Sequence, residues 1–288
     1  MPESAIAHVS DTAFWIAHLR AIETQRPDAL VRDRLAARLA GERGRQIAAS
    51  IPMSQVVGWT VALRTLIIDE YIELALREGV DTVLNLGAGL DTRPYRMKLP
   101  ESLTWIEADY PQIIEYKNSV LIGERVACKL ESVRIDLADL SARRGLFAAV
   151  NARAKRLLVL TEGVVPYLTN EQAASLVDDL RTLDRVHGWV VDYLEPGFAR
   201  YRRRSRLQRA MQNAPFRFAP ADWHAFFEAH GWRARKIRYI AEEAERLNRL
   251  IPLPGWMKVA VIARMLIASP ARRQAFRRFL GYALLEPR

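Results

Sequence analysis

The chain has 288 residues, of which 50% are hydrophobic and 26% charged, with a single cysteine. That composition excludes collagenous, mucin-like and wholly disordered classes, and at this length a sizeable core can be buried. Cys128 alone cannot make an internal disulfide or a cysteine zinc cluster, and the opening Met1-Pro2-Glu3-Ser4 shows no basic region leading into an apolar run, so a soluble, cytoplasmic protein is expected. The net charge of +10 and pI near 10 suggest nucleic acid, but the charge is unevenly placed. Residues 196–288 carry 20 Lys and Arg against 6 Asp and Glu, whereas the first 195 carry 23 against 27.

The first 78 residues read as helical. Phe14, Trp15, Ala17, His18, Leu19 and Ile22 recur near the helical period. A second helix is expected over 29–40, ended by Gly41 and Gly44, and a third over 56–76. The period then changes. Short apolar runs over 82–86, 103–107, 132–135, 156–160 and 189–194 read as buried strands, separated by helical stretches such as 170–185. Strands alternating with helices imply right-handed crossovers and a doubly wound, mainly parallel α/β sheet. Beyond Pro196 come a basic, helical insertion over 197–213, a short aromatic helix over 221–230, and two final strands over 233–240 and 281–286. The chain is read as one domain over 1–288. Its parts are a helical extension over 1–78, a ligand-binding core over 79–195, a basic lid with a late strand over 196–258, and C-terminal helices with the last strand over 259–288.

The first strand runs into Gly87-Ala88-Gly89-Leu90-Asp91-Thr92. Two glycines one residue apart let the backbone turn tightly against a ligand at the carboxyl end of the sheet. The same spacing serves plain turn geometry, so the neighbours decide. A dinucleotide fingerprint wants glycine or alanine where Thr92 stands, and Asp91 would repel a pyrophosphate at the helix start. A cationic ligand without phosphates fits better, such as S-adenosylmethionine. Asp109 lies 22 residues after Gly87, in the window for a carboxylate that binds ribose hydroxyls, and Glu107 competes for that role. Asp136 ends the third strand, where it can take an adenine amino group, and Glu162 ends the fourth.

Asn85-Leu-Gly-Ala-Gly-Leu-Asp-Thr-Arg93, Glu107-Ala-Asp-Tyr-Pro111 and Glu162-Gly-Val-Val-Pro-Tyr-Leu168 resemble the leucine carboxyl methyltransferase family, in its bacterial branch of S-adenosylmethionine-dependent O-methyltransferases. Arg20, Glu23, Asp33, Arg64 and Asp69 fall in further matching segments, and the resemblance weakens after Leu194. It implies a seven-stranded, Rossmann-like class I methyltransferase fold. It also implies roles: Arg64 for the carboxylate of the methionyl moiety, Gly87 beneath that moiety with Ala88 and Gly89 beside it in the cofactor-binding turn, Asp109 for ribose, Asp136 and Leu137 beside adenine, and Glu162 facing the methionyl end. Ala108 and Pro166 depart from the family pattern, the second within the acceptor side.

No serine–histidine or cysteine–histidine arrangement and no metal-ligand spacing stands out, so no catalytic residue is assigned and no metal is expected. Of the five histidines His18 is the least poor candidate base, which tilts the expectation toward a carboxylate acceptor, already ionised at neutral pH. The acceptor is expected to be a small acid, polyketide-like or otherwise, or a peptide; a phenol or alcohol is the alternative. A nicotinamide oxidoreductase is disfavoured by Asp91 and Thr92. The arginines at 200–209 suggest nucleic acid only weakly, since no binding signature accompanies them; Arg202 to Arg204 are expected to attract an anionic acceptor instead. Trp256, Met257, Val259, Val261, Met265 and Leu266 followed by Arg272, Arg273, Arg277 and Arg278 resemble a membrane-surface segment, although core packing is the simpler expectation.

Overall fold

Continuous apolar runs that suit burial on both faces form the centre of the sheet. A computed structural model describes Ile6, residues 8–195 and residues 212–288. Its strands are β1 (Thr82–Leu86), β2 (Thr104–Asp109), β3 (Lys129–Arg134), β4 (Leu157–Thr161), β5 (Val186–Leu194), β6 (Trp232–Tyr239) and β7 (Leu280–Pro287). They form one sheet in the order β3-β2-β1-β4-β5-β7-β6, parallel through β5, with β7 antiparallel to both of its neighbours. Every residue of β1 and β4 is buried. Along β4 the side chains alternate between faces, Leu157 and Val159 joining one core cluster and Leu158 and Leu160 the other.

The helices are α1 (Asp11–Thr24), α2 (Ala36–Ser50), α3 (Ser54–Arg77), α4 (Arg93–Arg96), α5 (Pro111–Val120), α6 (Leu140–Arg153), α7 (Asn170–Arg181), α8 (Trp223–Ala229), α9 (Ile240–Arg246), α10 (Gly255–Ile267) and α11 (Pro270–Arg277). Leu63, Ile67 and Tyr71 of α3 pack on one face of the sheet with Ile240 of α9. Phe147 of α6, Leu176 of α7 and Phe227 of α8 cover the other. Strand order reverses between β1 and β4, and the crevice above such a switch point is where doubly wound sheets bind ligands.

Three expectations change here. The helix expected over 29–40 instead begins at Ala36 and runs to Ser50 through a kink at Gly41, whose φ is 54°. Gly44 does not end it. A Cβ there would lie 2.5 Å from the Phe14 carbonyl, so this glycine lets α2 press against α1. β3 starts earlier than its apolar run because it is the sheet edge, half-exposed and rich in polar residues. Of the basic insertion expected over 197–213, residues 197–211, with Arg202 to Arg204, lie outside the described residues.

Part of the C-terminal positive charge is matched by acids, some from the first hundred residues. Arg249 Nη2 lies 2.6 Å from Glu23, Arg238 pairs with Glu70 and Glu243, and Arg235 with Glu78.

Candidate functional site

Above the carboxyl ends of β1 to β4 opens a cavity of about 710 Å³. Arg64, Gly87, Ala88, Gly89, Asp109, Asp136, Leu137 and Glu162 all line it. The far wall comes from His8 to Ile16, Tyr167 and the stretch from Asn213 to Arg217.

The floor is the turn after β1. Gly87 has φ of 64°, a region that side chains disfavour, and a Cβ on it would sit 2.4 Å from Val164 Cγ2. Asp109 braces this turn, its Oδ2 accepting from Gly89 N–H at 2.6 Å and its Oδ1 from Tyr110 N–H at 2.7 Å. Burial raises the Asp109 pKa, against the pull of those two N–H groups. Glu107 does not compete: it is fully buried, with Lys117 Nζ 2.6 Å from its Oε1, and it does not line the cavity. Asp91 accepts from Asn85 Nδ2 at 2.9 Å and from Arg93 N–H at 3.0 Å. Burial opposes its charge, but Arg93 and then Lys117 outweigh burial and hold the carboxyl below the usual range.

On the β4 side, Glu162 sits between two arginines, 2.7 Å from Arg64 Nε and 2.7 Å from Arg93 Nη1. Burial would raise its pKa, yet Arg64 and Arg93 together lower it. Arg64 Nε is in ion-pair range of Glu162 but makes no hydrogen bond among the described residues. Arg93 continues to Asp69 at 2.7 Å, and Asp69 also takes both terminal nitrogens of Arg96, at 2.7 and 2.9 Å. At the rim Asp136 is exposed, its Oδ1 accepting from Ala138 N–H at 2.9 Å, with half-buried Leu137 beside it.

The leucine carboxyl methyltransferase family model matches residues 13–181, which run from within α1 to the end of α7 and include all eight of these residues. The chain belongs to that family.

A relative from Mycobacterium avium (strain 104), named by inference as an S-adenosyl-L-methionine-dependent methyltransferase, is 31% identical over 85% of this chain and 85% of its own. One from Mycobacterium tuberculosis (strain ATCC 25177 / H37Ra), named the same way, is 30% identical over 85% and 86%. Among solved structures, a Thermobifida fusca protein named by inference as a methyltransferase superposes with a TM-score of 0.58 at 13% identity, covering 99% of this chain and 96% of that one. A DUF574 family protein of Streptomyces avermitilis gives 0.56 at 14% identity, covering 99% of both. At these identities the likeness to the solved structures is one of fold.

Arg20 also lines the cavity, with Asp33 and Thr92 behind it. Arg20 donates from Nη2 to the Leu90 carbonyl at 2.6 Å and from Nε to Asp33 at 2.9 Å, while Thr92 donates to the same Asp33 oxygen at 2.6 Å, tying the helical extension to the glycine turn. Among the histidines it is His8, not His18, that lines the cavity. His18 lies against the Gly44 contact with α1, and burial followed by Arg45 lowers its pKa.

Asp192 is the least expected acid. It lies within the apolar run of β5, buried beneath the turn at Glu162 and Gly163, and accepts from Gly163 N–H at 2.9 Å. An acid inside an apolar strand was the available signal. Burial pushes its carboxyl up to about 7, against the pull of Arg64 and Gly163. Across the interval from the ordinary carboxylate range to about pH 7 the folded state holds a proton that the unfolded state has lost, so stability falls as pH rises through it. Asp192→Asn is expected to flatten that part of the Tm-against-pH curve; parallel curves for the two proteins would contradict it.

Proposed function

We propose that this chain is an S-adenosylmethionine-dependent O-methyltransferase whose acceptor oxygen belongs to a carboxylate. The observation that carries the reading is the convergence on one cavity of the glycine turn, three strand-end acids and Arg64. The donor set suits the cofactor's groups. Asp109, with its bound N–H groups satisfied, still has lone pairs for the ribose hydroxyls. Asp136 and Leu137 suit adenine. The Arg64–Glu162 pair offers both signs of charge to the zwitterionic methionyl end. When bound, the cofactor supplies a methyl group already activated on its sulfonium, so the protein's work is alignment and exclusion of water. The wall formed by His8 to Ile16 shields the cavity, and apolar Trp15, Ile16 and Leu168 receive the carbon skeleton of an acid.

Two observations favour a carboxylate. The family is named for carboxyl methylation. Arg217, exposed on the cavity wall, has no ion-pair partner among the described residues and is free to hold an anion. A carboxylate is ionised at neutral pH and needs no base. A hydroxyl acceptor is the second reading, favoured by His8, whose Nδ1 lies 2.9 Å from Ser10 Oγ on the same wall.

Incubation with methyl-labelled S-adenosylmethionine and a panel of carboxylic acids and phenols separates the two. The expected product loses its label as methanol in mild alkali; an alkali-stable methyl ether would overturn the carboxylate reading.

A further inference from the structure

Helix α10 turns its apolar stripe to solvent. Trp256, Val259, Ala260, Ala263 and Ile267 recur at the spacing of one helical face, and all five are exposed. Trp256 is 74% exposed, Val259 67% and Ile267 88%. The expected core packing of this segment therefore does not hold for Trp256 and Val259. Leu250, just before α10, is 77% exposed, and Phe276 of α11 is also open to solvent.

Along the chain the charge of this segment has one sign. Between Glu245 and Glu286 the sequence contains eight Lys or Arg and no acidic residue. Arg277 pairs with Glu245, and Arg278 Nε lies 2.8 Å from Glu242, fastening α11 to α9. Lys258, Arg264, Arg272 and Arg273 make no ion pair among the described residues, so four cations flank the exposed apolar face without neutralisation.

This pairing of features selects among occupants. A second copy docked about a two-fold axis would set this acid-free face against itself, cation against cation. An anionic lipid surface satisfies both halves: the stripe enters the acyl boundary, Trp256 suits the interface, and the flanking cations meet headgroups. The 13 residues of α10 extend roughly 20 Å, short of a hydrocarbon core of about 30 Å, so the helix would lie in the surface plane. No helix among the described residues is long and apolar enough to cross a membrane.

We propose that α10 and α11 form a docking surface for an anionic lipid bilayer, with the Trp256–Ile267 stripe embedded and Lys258, Arg264, Arg272 and Arg273 at the headgroups. The inference is independent of the methyl acceptor.

Flotation of the full chain with phosphatidylcholine vesicles, with and without about 30% phosphatidylglycerol, tests it. The protein is expected to float with the anionic vesicles at low salt and not with the neutral ones. Arg272→Glu with Arg273→Glu is expected to weaken partitioning by at least about tenfold, since each basic residue at such a surface contributes about fivefold. Trp256→Ser with Val259→Ser is expected to abolish flotation while leaving the circular dichroism and Tm unchanged, because both side chains are exposed. Failure to float with anionic vesicles, equal flotation with neutral ones, or unaltered flotation of both variants would overturn the proposal. So would a lipid-free dimer that Trp256→Ser dissolves, which would make the partner a second copy. Binding of a polyglutamate peptide without flotation would equally overturn it, in favour of an acidic protein.

Discussion

Replacing Arg64 by methionine is expected to weaken binding of S-adenosylhomocysteine by at least about 100-fold. The side chain is 14% exposed and sits 2.7 Å from Glu162 on the cavity wall, where the proposed cofactor's methionyl end would lie. With a ligand bound, one guanidinium must balance both Glu162 and the incoming carboxylate. Methionine preserves the bulk and removes the charge. The ligand's carboxylate would then enter a desolvated site beside Glu162, whose remaining ion-pair partner among the described residues, Arg93, is already shared with Asp69 and Asp91. Stranding a buried charge in this way costs about 3–5 kcal/mol, which is about two to three and a half decades in Kd. Arg64→Lys keeps the charge but loses the planar fork, and is expected to fall between methionine and wild type. Titration calorimetry reads both. Wild-type affinity in Arg64→Met would mean that the arginine serves Glu162 alone.

Gly87→Ala is expected to be nearly as damaging, through the backbone. At φ of 64° an added Cβ costs about 1–2 kcal/mol, and its position 2.4 Å from Val164 Cγ2 forces a shift worth about 1–3 kcal/mol more. The turn that moves also carries the Gly89 N–H bound by Asp109, so stability and ligand binding should fall together. A drop in Tm of roughly 5–10 °C is expected at this chain length, with at least about tenfold weaker binding. Adding Val164→Ala makes room for the methyl but leaves the backbone strain, so recovery should be partial. A Gly87→Ala protein that melts and binds like wild type would refute this account of the turn.

What the sequence made legible follows from what burial demands. β1 and β4 are covered on both faces, so their residues are uninterrupted apolar runs that announce strands. Asp109, Asp136 and Glu162 could be placed together because parallel strands leave the sheet on one side, wherever each falls in the order. β3 hid its start because an edge strand needs no apolar run. Gly44 misled because a glycine that ends a helix and one that admits a neighbouring backbone are the same letter; only the Phe14 carbonyl tells them apart. Asp192 became interpretable only when the turn after β4 brought Gly163, and α3 brought Arg64, beside it. The α10 stripe shows the same limit from the other side. Its spacing is that of any amphipathic helix, and whether that face meets a core or solvent depends on what the rest of the chain packs against it.

The positive charge that first suggested nucleic acid divides in the same way. Arg235, Arg238 and Arg249 are matched by acids of the first hundred residues, while Arg272 and Arg273 are left facing outward.

The central claim is that the cavity is built for an adenosyl ligand with a zwitterionic tail and no phosphate. Titration calorimetry of the full chain with S-adenosylhomocysteine and, separately, with NADH and NADPH tests this most directly. Saturable one-to-one binding of S-adenosylhomocysteine, weakened in Arg64→Met, is expected, with no heat of binding from either nicotinamide. Saturation by a nicotinamide, with none by S-adenosylhomocysteine, would contradict it.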